Sequence, residues 1–253
     1  MSATLPLFAQ RWRDRRDHYR PAGEPIRTAE YDVAAIDSDA TARAFVERHH
    51  YSGTYPAARA RFGLYHRGAL AGVAVVSVPA SQAVLTNVFG TTDAVELGRF
   101  VLLDDVAANG ESWFLARCFE QLRGRFAGVV SFSDPVARQK ADGTVVTPGH
   151  VGTIYQAVNA TYLGRATART LALLPDGTVF SDRAAQKIRA RERGWRYAVA
   201  QLQAAGAPAF DGSAHWLSAA LATCTTRLRH PGNHRSAWSF TRQRLTPPGP
   251  YPK

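Results

Sequence analysis

AVELGRFVLLDDVAANGESWFLARCFEQLRGRFAGVVSFSDP, residues 94–135, decides the fold of this chain. Its first part reads as a strand. WFLARCFEQLRGRF then carries Phe114, Leu115, Cys118, Phe119 and Leu122 at the spacing of one helical face. GVVSFSDP is a short apolar strand that ends at Asp134-Pro135. Toward the N-terminus, RFGLYHRGALAGVAVVSVPA (61–80) reads as two strands joined at Arg67-Gly68. The strand YDVAAI (31–36) precedes them, with Ser38 and Asp39 as caps for a helix to about His50 whose inner face holds Ala42, Phe45, Val46 and His49.

Beyond a loop at 136–148, HVGTIYQAVNATYLG (150–164) predicts a second helix with Val151, Ile154, Tyr155, Val158 and Tyr162 on one face, stopped by Gly164. TARTLALLPDGTVFSD (167–182) predicts a hairpin around Pro175-Asp176-Gly177. This order predicts an α/β (α+β) protein: a mixed central sheet flanked by helices on both faces. The expected organisation is a basic arm (1–30), a catalytic core (31–182) and a basic C-terminal extension (183–253) packed on it, since no linker precedes the extension.

The 253 residues include 45% hydrophobic and 20% charged ones, enough for a real core. No apolar run of about 18 residues, the length a bilayer span needs, is present, and the first residues lack a signal-peptide pattern. Two cysteines, Cys118 and Cys224, give no disulfide framework, and the host cytoplasm is the expected compartment. Charge is the informative quantity. Lys plus Arg total 31 against 20 acids, a net +11 with a pI near 10.2. Only Lys140, Lys187 and Lys253 are lysines. Arginine bias can follow from a GC-rich genome, but its planar fork also binds phosphate oxygens in pairs. The cations cluster at Arg11–Arg20, Arg183–Arg196 and Arg227–Arg244, so a polyanion is the expected partner.

Four places could carry chemistry. Asn109-Gly110-Glu111-Ser112 opens a helix, whose free N–H groups suit an anion, and Arg99 on the preceding strand could add a fixed cation. His50-Tyr51-Ser52 ends the first helix with a titratable base, although a surface cation at a helix C-terminus would serve equally. Asp134 falls where a buried strand gives way to loop. Tyr155 and Asn159, one turn apart on the predicted helix, would share a face as proton donor and substrate-orienting amide; plain helix packing is the alternative. His230-Pro231-Gly232-Asn233-His234 has a metal-like spacing, but Pro-Gly prevents a helix from aligning the rings, so a turn placing polar groups near a substrate is the expected role. No dinucleotide or Walker fingerprint is present.

HYSGTYP (50–56), ELGRFVLLDD (96–105), GESWFLARCF (110–119), VVSFSDP (129–135), GHVGTIYQAVNATYLG (149–164), HPGNHR (230–235) and PYPK (250–253) together resemble the phage Mom family, a divergent branch of the GNAT acyltransferases. The resemblance implies a GNAT-like fold and an enzyme that converts adenine N6 in phage DNA to a carbamoylmethyl (acetamido-type) adduct, shielding the DNA from restriction. It implies acetyl-CoA as co-substrate and carries functional roles onto His50, Arg99, Ser112, Asp134 and Tyr155. His50 or Asp134 would accept the proton, and Tyr155 would donate one. Arg99, Asn109, Gly110 and Ser112 would hold the acyl donor, with Tyr51, Asn159, Arg189, Arg193, His234 and Arg235 on the DNA. Simple acyl transfer would leave an amide, so an additional step, with a metal ion as a candidate helper, is implied. The family's usual pyrophosphate loop is absent: Asp105–Ser112 stands in its place. Two rivals remain open: an acyltransferase for another amine (a hypermodified pyrimidine, a tRNA base or a protein lysine), and a non-catalytic DNA-binding protein.

Overall fold

The computed structural model describes residues 8–21, 24–147 and 149–252; the first seven residues of the arm, residues 22–23, Pro148 and Lys253 lie outside them. In chain order the elements are β1 (Phe8–Arg13), β2 (Arg16–Pro21), β3 (Tyr31–Ala35), α1 (Asp39–His49), β4 (Ala58–His66), β5 (Ala69–Ser77), α2 (Ala83–Phe89), β6 (Val95–Leu102), α3 (Gly110–Leu122) and β7 (Gly128–Ser133). There follow β8 (Arg138–Gln139), β9 (Val145–Thr147), α4 (Thr153–Ala157), β10 (Thr161–Arg165), β11 (Arg169–Leu173), β12 (Val179–Phe180), α5 (Asp182–Ala190), α6 (Trp195–Ala204), α7 (Trp216–Cys224), β13 (Thr226–His230) and β14 (His234–Ser239).

The chain forms two compact units, one of residues 1–135, 150–165 and 233–253, the other of 136–149 and 166–232. These divide the chain at other points than residues 30 and 182, because His234–Ser239 pairs between β7 and β10. The first unit holds a seven-stranded sheet of order β10-β14-β7-β6-β5-β4-β3. Every neighbouring pair in it is antiparallel except β6–β7, which the helical crossover α3 makes parallel. The β4–β5 hairpin turns at Arg67 and Gly68, both at positive φ, as a two-residue hairpin turn requires.

Helices cover both faces of this sheet. On one, Phe114, Leu115, Cys118 and Leu122 of α3 pack with Tyr155 against Ala74, Val76, Val95 and Val129. On the other, Ala42 and Val46 of α1 meet Val73, Val75 and Val101, and Leu85 and Val88 of α2 meet Val130 and Ala237. The alternation of Val129 with Val130, and of Ala237 with Trp238, follows from the two-residue period of a strand. Ser38 caps α1, its hydroxyl accepting from the Thr41 N–H at 3.3 Å.

Two local expectations, the helix over 150–164 and the plain loop at 136–148, are corrected. Residues 150–164 are not one helix: α4 has five residues, Gly152 and Asn159 take positive φ, and Thr161–Arg165 is a strand on β14. The apolar residues that suggested one helix are divided between two elements: Tyr155 enters the core from α4, and Tyr162 packs against His234 and Tyr251 from β10. The loop before β6 contains α2, ended by left-handed Gly90, and the loop at 136–148 contains the β8–β9 hairpin.

The second unit packs α5, α6 and α7 around Ile188, Leu202, Trp216 and Leu217, beside a sheet of order β12-β11-β13. The Trp216 indole donates to the Pro208 and Ala209 carbonyls at 3.1 and 3.0 Å. Both cysteines are free and buried, and among the described residues no helix is long and apolar enough to cross a membrane.

Candidate active site at the β6–β7 fork

The two parallel strands pair only at Val95–Val129 and Glu96–Val130, then part. At the point of parting β6 carries a bulge: Leu97 and Arg99 face consecutive residues of β5, Val76 and Val75, leaving Gly98 as the extra residue. A methyl group at Gly98 would lie 2.4 Å from Ser77 Oγ and 3.1 Å from Pro56, so only glycine fits this bend. Gly98→Ala is expected to cost about 1–3 kcal/mol through overpacking, read as a lower melting temperature.

Around the opening the fold assembles residues from separate segments. His50 and Tyr51 come from the end of α1, their rings 4.2 Å apart. Arg99 ties the following loop to the bulge, donating to the Thr54 carbonyl at 2.9 Å, to Thr54 Oγ1 at 2.6 Å and to the Gly98 carbonyl. His50 is buried, and its Nδ1 accepts from the Ser52 N–H at 3.1 Å. That bond leaves the proton of the neutral ring on Nε2. Burial, then the positive charges of Arg99 and His150, hold His50 well below the usual histidine pKa. In its neutral form His50 therefore offers a hydrogen-bond donor at Nε2.

The opposite wall comes from β7 and the segment after it. The chain leaves at Pro135, and when it returns, the His150 N–H donates to the Asp134 carbonyl at 2.7 Å. His150 is thereby brought beside Asp134; burial lowers its pKa, the Asp134 carboxylate raises it and His234 lowers it. Tyr155 is buried and its phenol is pushed up to about 12, mainly by desolvation; the Ser131 side chain lowers it, while Tyr51 and Glu96 raise it. Glu96, also desolvated, titrates above the usual carboxylate range with Arg99 as the counter-influence. Gly152, at φ +75°, lets the chain pass Tyr155: a Cβ there would meet the ring at 2.6 Å and Ser133 Oγ at 2.9 Å. Ser133 Oγ and His234 Nε2 are buried without a hydrogen-bond partner among the described residues. The Tyr162 hydroxyl and His234 Nδ1 are bonded at 2.9 Å.

His50, Tyr51, Arg99, Asp134, Tyr155 and His234 are therefore brought together, with Glu96, Ser133 and His150 as members that sequence reasoning missed. The signal for His150 was its place in the block after SFSDP, but only the return of the chain to Asp134 gives it a role. The depressed histidines also set a pH dependence. The unfolded chain takes up protons near 6.5, before folded His50, His150 and His234 do, so these groups make stability fall as pH drops below about 6.5. Melting temperatures of wild type and a His150→Gln variant between pH 8 and 5 are expected to show the variant losing less.

The N-terminus of α3 is occupied by the chain itself. Arg11 of β1, 1% exposed, pairs with the Glu111 carboxylate and donates to the Ala107 and Ala108 carbonyls at 2.6 and 3.0 Å. Asn109 Oδ1 accepts from the Ile26 N–H at 2.7 Å, Gly110 is buried against Val106, and Ser112 Oγ donates to the Asn109 carbonyl at 3.0 Å. Arg20 donates to the Asp104 carbonyl, and the β1–β2 turn docks through the Asp14 N–H on His49 Nδ1 at 3.2 Å. These arm contacts anchor it to the core, so Arg11 is a structural cation and not a polyanion ligand.

A cavity of about 700 Å³ opens between α3 and the segment after α4, with Ser112, Arg123, Asn159, Trp238 and Arg244 in its lining. Trp238 connects it to the fork, its ring edge-on to Tyr155 at 5.5 Å. Asn159, beyond α4, thus shares this cavity with Ser112 and not a helical face with Tyr155. Arg235 points to the other side of the sheet, where it donates to the Leu163 carbonyl at 3.1 Å and lines a separate cavity of about 360 Å³ with Asn87. Arg189 and Arg193 are exposed in the second unit. Among the described residues no cluster of three or more metal-ligating side chains is present.

No curated protein matches the chain. Among solved structures, a tandem GNAT protein from the clavulanic acid biosynthesis pathway, without AcCoA, is similar at 10% identity and a TM-score of 0.37. The match covers 69% of this chain and 64% of that one. The Mom protein family model matches residues 30–216, a span that takes in every segment of the fork except the one bearing His234, and the chain belongs to that family.

Proposed function

We propose that this chain is a phage DNA-modifying transferase that acts on adenine N6 and leaves a carbamoylmethyl, acetamido-type adduct as protection against restriction. Membership of the Mom family supports action on DNA. The observation that carries the reading is the cluster at the fork, where His50, Arg99, Asp134 and Tyr155 from four segments surround one opening, and burial shifts the titration of His50, Arg99 and Tyr155. A pure binding protein has no need of buried, desolvated histidines and a carboxylate beside them.

Adenine N6 is a weak nucleophile whose lone pair is delocalised into the ring, and it is inaccessible inside a duplex, so the base must be flipped or single-stranded. As the N6 bond to carbon forms, neutral His150 takes the amine proton and the Asp134 carboxylate stabilises the resulting imidazolium. Tyr155 keeps its proton until a leaving group needs it. His50 Nε2–H supplies a fixed donor for oxygen charge developing in the transition state. With the pKa of the proton acceptor His150 held below the ordinary histidine value, mainly by burial, kcat/KM is expected to stay level from pH 8 to 7 and to decline only under more acid conditions than for a free histidine.

Acetyl-CoA, the donor that the resemblance implies, does not fit the α3 N-terminus, where Arg11 and Glu111 stand. It fits the cavity of about 700 Å³, whose volume suits a ligand and whose Arg123 and Arg244 suit its phosphates. Bound there it would supply a two-carbon acyl unit, with the thiol as the group that takes the Tyr155 proton. That transfer alone would leave an N6-acetyl amide, so the carbamoylmethyl adduct takes a separate step with a nitrogen donor and a two-electron oxidant as co-reactants. Ser112 and Asn159 offer hydrogen bonds to its amides. Separate analysis of DNA, tRNA and protein from expressing cells decides the acceptor: the new adduct is expected in DNA. An adduct confined to tRNA or protein would replace this reading with an acyltransferase for another amine.

A further inference from the structure

Within the second unit, α5 and α6 are joined by a turn of four residues, Arg191–Gly194, in which Arg191 and Gly194 both take positive φ. The third helix, α7, packs against both. Two helices on a short glycine-containing turn, backed by a third, are the framework that presents a helix to the DNA major groove. The side chains here match that use. α6 has no acidic residue, and its solvent face carries Arg196, Tyr197, Ala200 and Gln203. Tyr197 is 79% exposed, unusual for a large aromatic.

The cations of this element divide into two kinds. Arg183 pairs with Glu192 at 2.5 Å. Arg191 stacks between Trp195 and Phe210, 4.4 and 4.7 Å from their centroids, and donates to the Gly212 carbonyl at 3.1 Å. These two hold the turn together. Arg189, Arg193 and Arg196 are exposed and have no acidic partner among the described residues. A solvated charged face would tolerate scattered acids. This one has none on α6, and it adds an exposed tyrosine and a glutamine of the type that pairs with adenine edges.

We propose that α5–turn–α6 grips duplex DNA, with the exposed face of α6 in the major groove and Arg189 and Arg193 on flanking phosphates. The proposal rests on DNA being the substrate, and it assigns the grip to a surface separate from the chemistry. Binding of the full chain to a labelled duplex is measured by fluorescence anisotropy over a range of salt concentrations, a readout that needs no adduct. Arg189→Ala/Arg193→Ala is expected to lower the magnitude of the log–log salt slope by about 1.8, at about 0.9 per lost phosphate contact. Tyr197→Ala is expected to weaken binding about tenfold with the slope unchanged, since it removes a base contact and no charge. Arg117→Ala, which removes one exposed cation of α3, serves as the control. All four residues are exposed, so the variants are expected to melt with the wild type.

Unchanged duplex affinity in the first two variants would overturn the proposal. So would an equal loss in Arg117→Ala, which would mean net charge alone, or a loss confined to tRNA, which would mean an RNA partner. If binding falls as expected while no adduct forms in cells, the grip stands and the proposed chemistry fails; normal adduct with unaffected binding gives the reverse.

Discussion

Tyr155→Phe is expected to lower adenine modification by roughly 10²–10⁴-fold, the range for loss of a positioned proton donor, with little change in melting temperature. The substitution removes one oxygen and keeps the ring, which packs edge-on against Trp238 and lies in the core with α3. Its phenol is pushed up to about 12, so at neutral pH the group is fully protonated and able to give that proton away. The measurement is the modified fraction of deoxyadenosine after a fixed time, together with a melting curve. An active, stable Tyr155→Phe protein would remove Tyr155 from the chemistry and leave it as a core aromatic.

Arg11→Ala is expected to be the most destabilising single change outside the core, by about 3–5 kcal/mol and a fall in melting temperature of order 10 °C. The cause is not the value of the ion pair itself but the Glu111 carboxylate left buried without its partner. Burial already raises that carboxyl to about 7, with Arg11 the main opposing influence. The sign of the pH effect follows. Because the folded pKa lies above the unfolded value, the native state binds the proton first, and Glu111 adds stability as pH falls from above 7 toward 4.5. Arg11→Ala should therefore recover part of its loss at pH 5.5, and Arg11→Met with Glu111→Leu should restore most of it at every pH. Equal losses at pH 5.5 and 8 would contradict the account of this pair.

The arm shows why composition misleads at single positions. Arg11 belongs to the N-terminal run that suggested a polyanion surface, yet it is among the most buried side chains of the protein. Nothing local distinguishes it from its neighbours; its environment is made by Ala107, Ala108 and Glu111, about a hundred residues away. The same non-locality explains residues 150–164. Val151, Ile154, Tyr155 and Val158 keep a helical spacing, but Thr161–Arg165 gains more by pairing with β14, which sequence reasoning placed in a separate extension. What was legible rested on local rules: the α3 stripe, the Ser38 cap, the Arg67-Gly68 turn and the short apolar strand before Asp134.

The site divides in the same way. Residues at the ends of elements were readable, since His50 closes α1 and Asp134 follows β7. The role of His150 required the return of the chain after residue 149, and that of Glu96 required knowing that β6 and β7 part just beyond it. The helix N-terminus expected to hold the acyl donor already has an occupant from the chain itself. A helix N-terminus attracts anions, and here the anion is the protein's own Glu111, held by Arg11.

Whether the fork modifies adenine in DNA is decided by nucleoside analysis. DNA from bacteria expressing the wild-type chain, digested to nucleosides and read by mass spectrometry, is expected to contain a deoxyadenosine species heavier by one carbamoylmethyl group, absent when Asp134→Asn is expressed instead. Unmodified deoxyadenosine beside a new pyrimidine species, or the same adenine adduct at full level with Asp134→Asn, would contradict it.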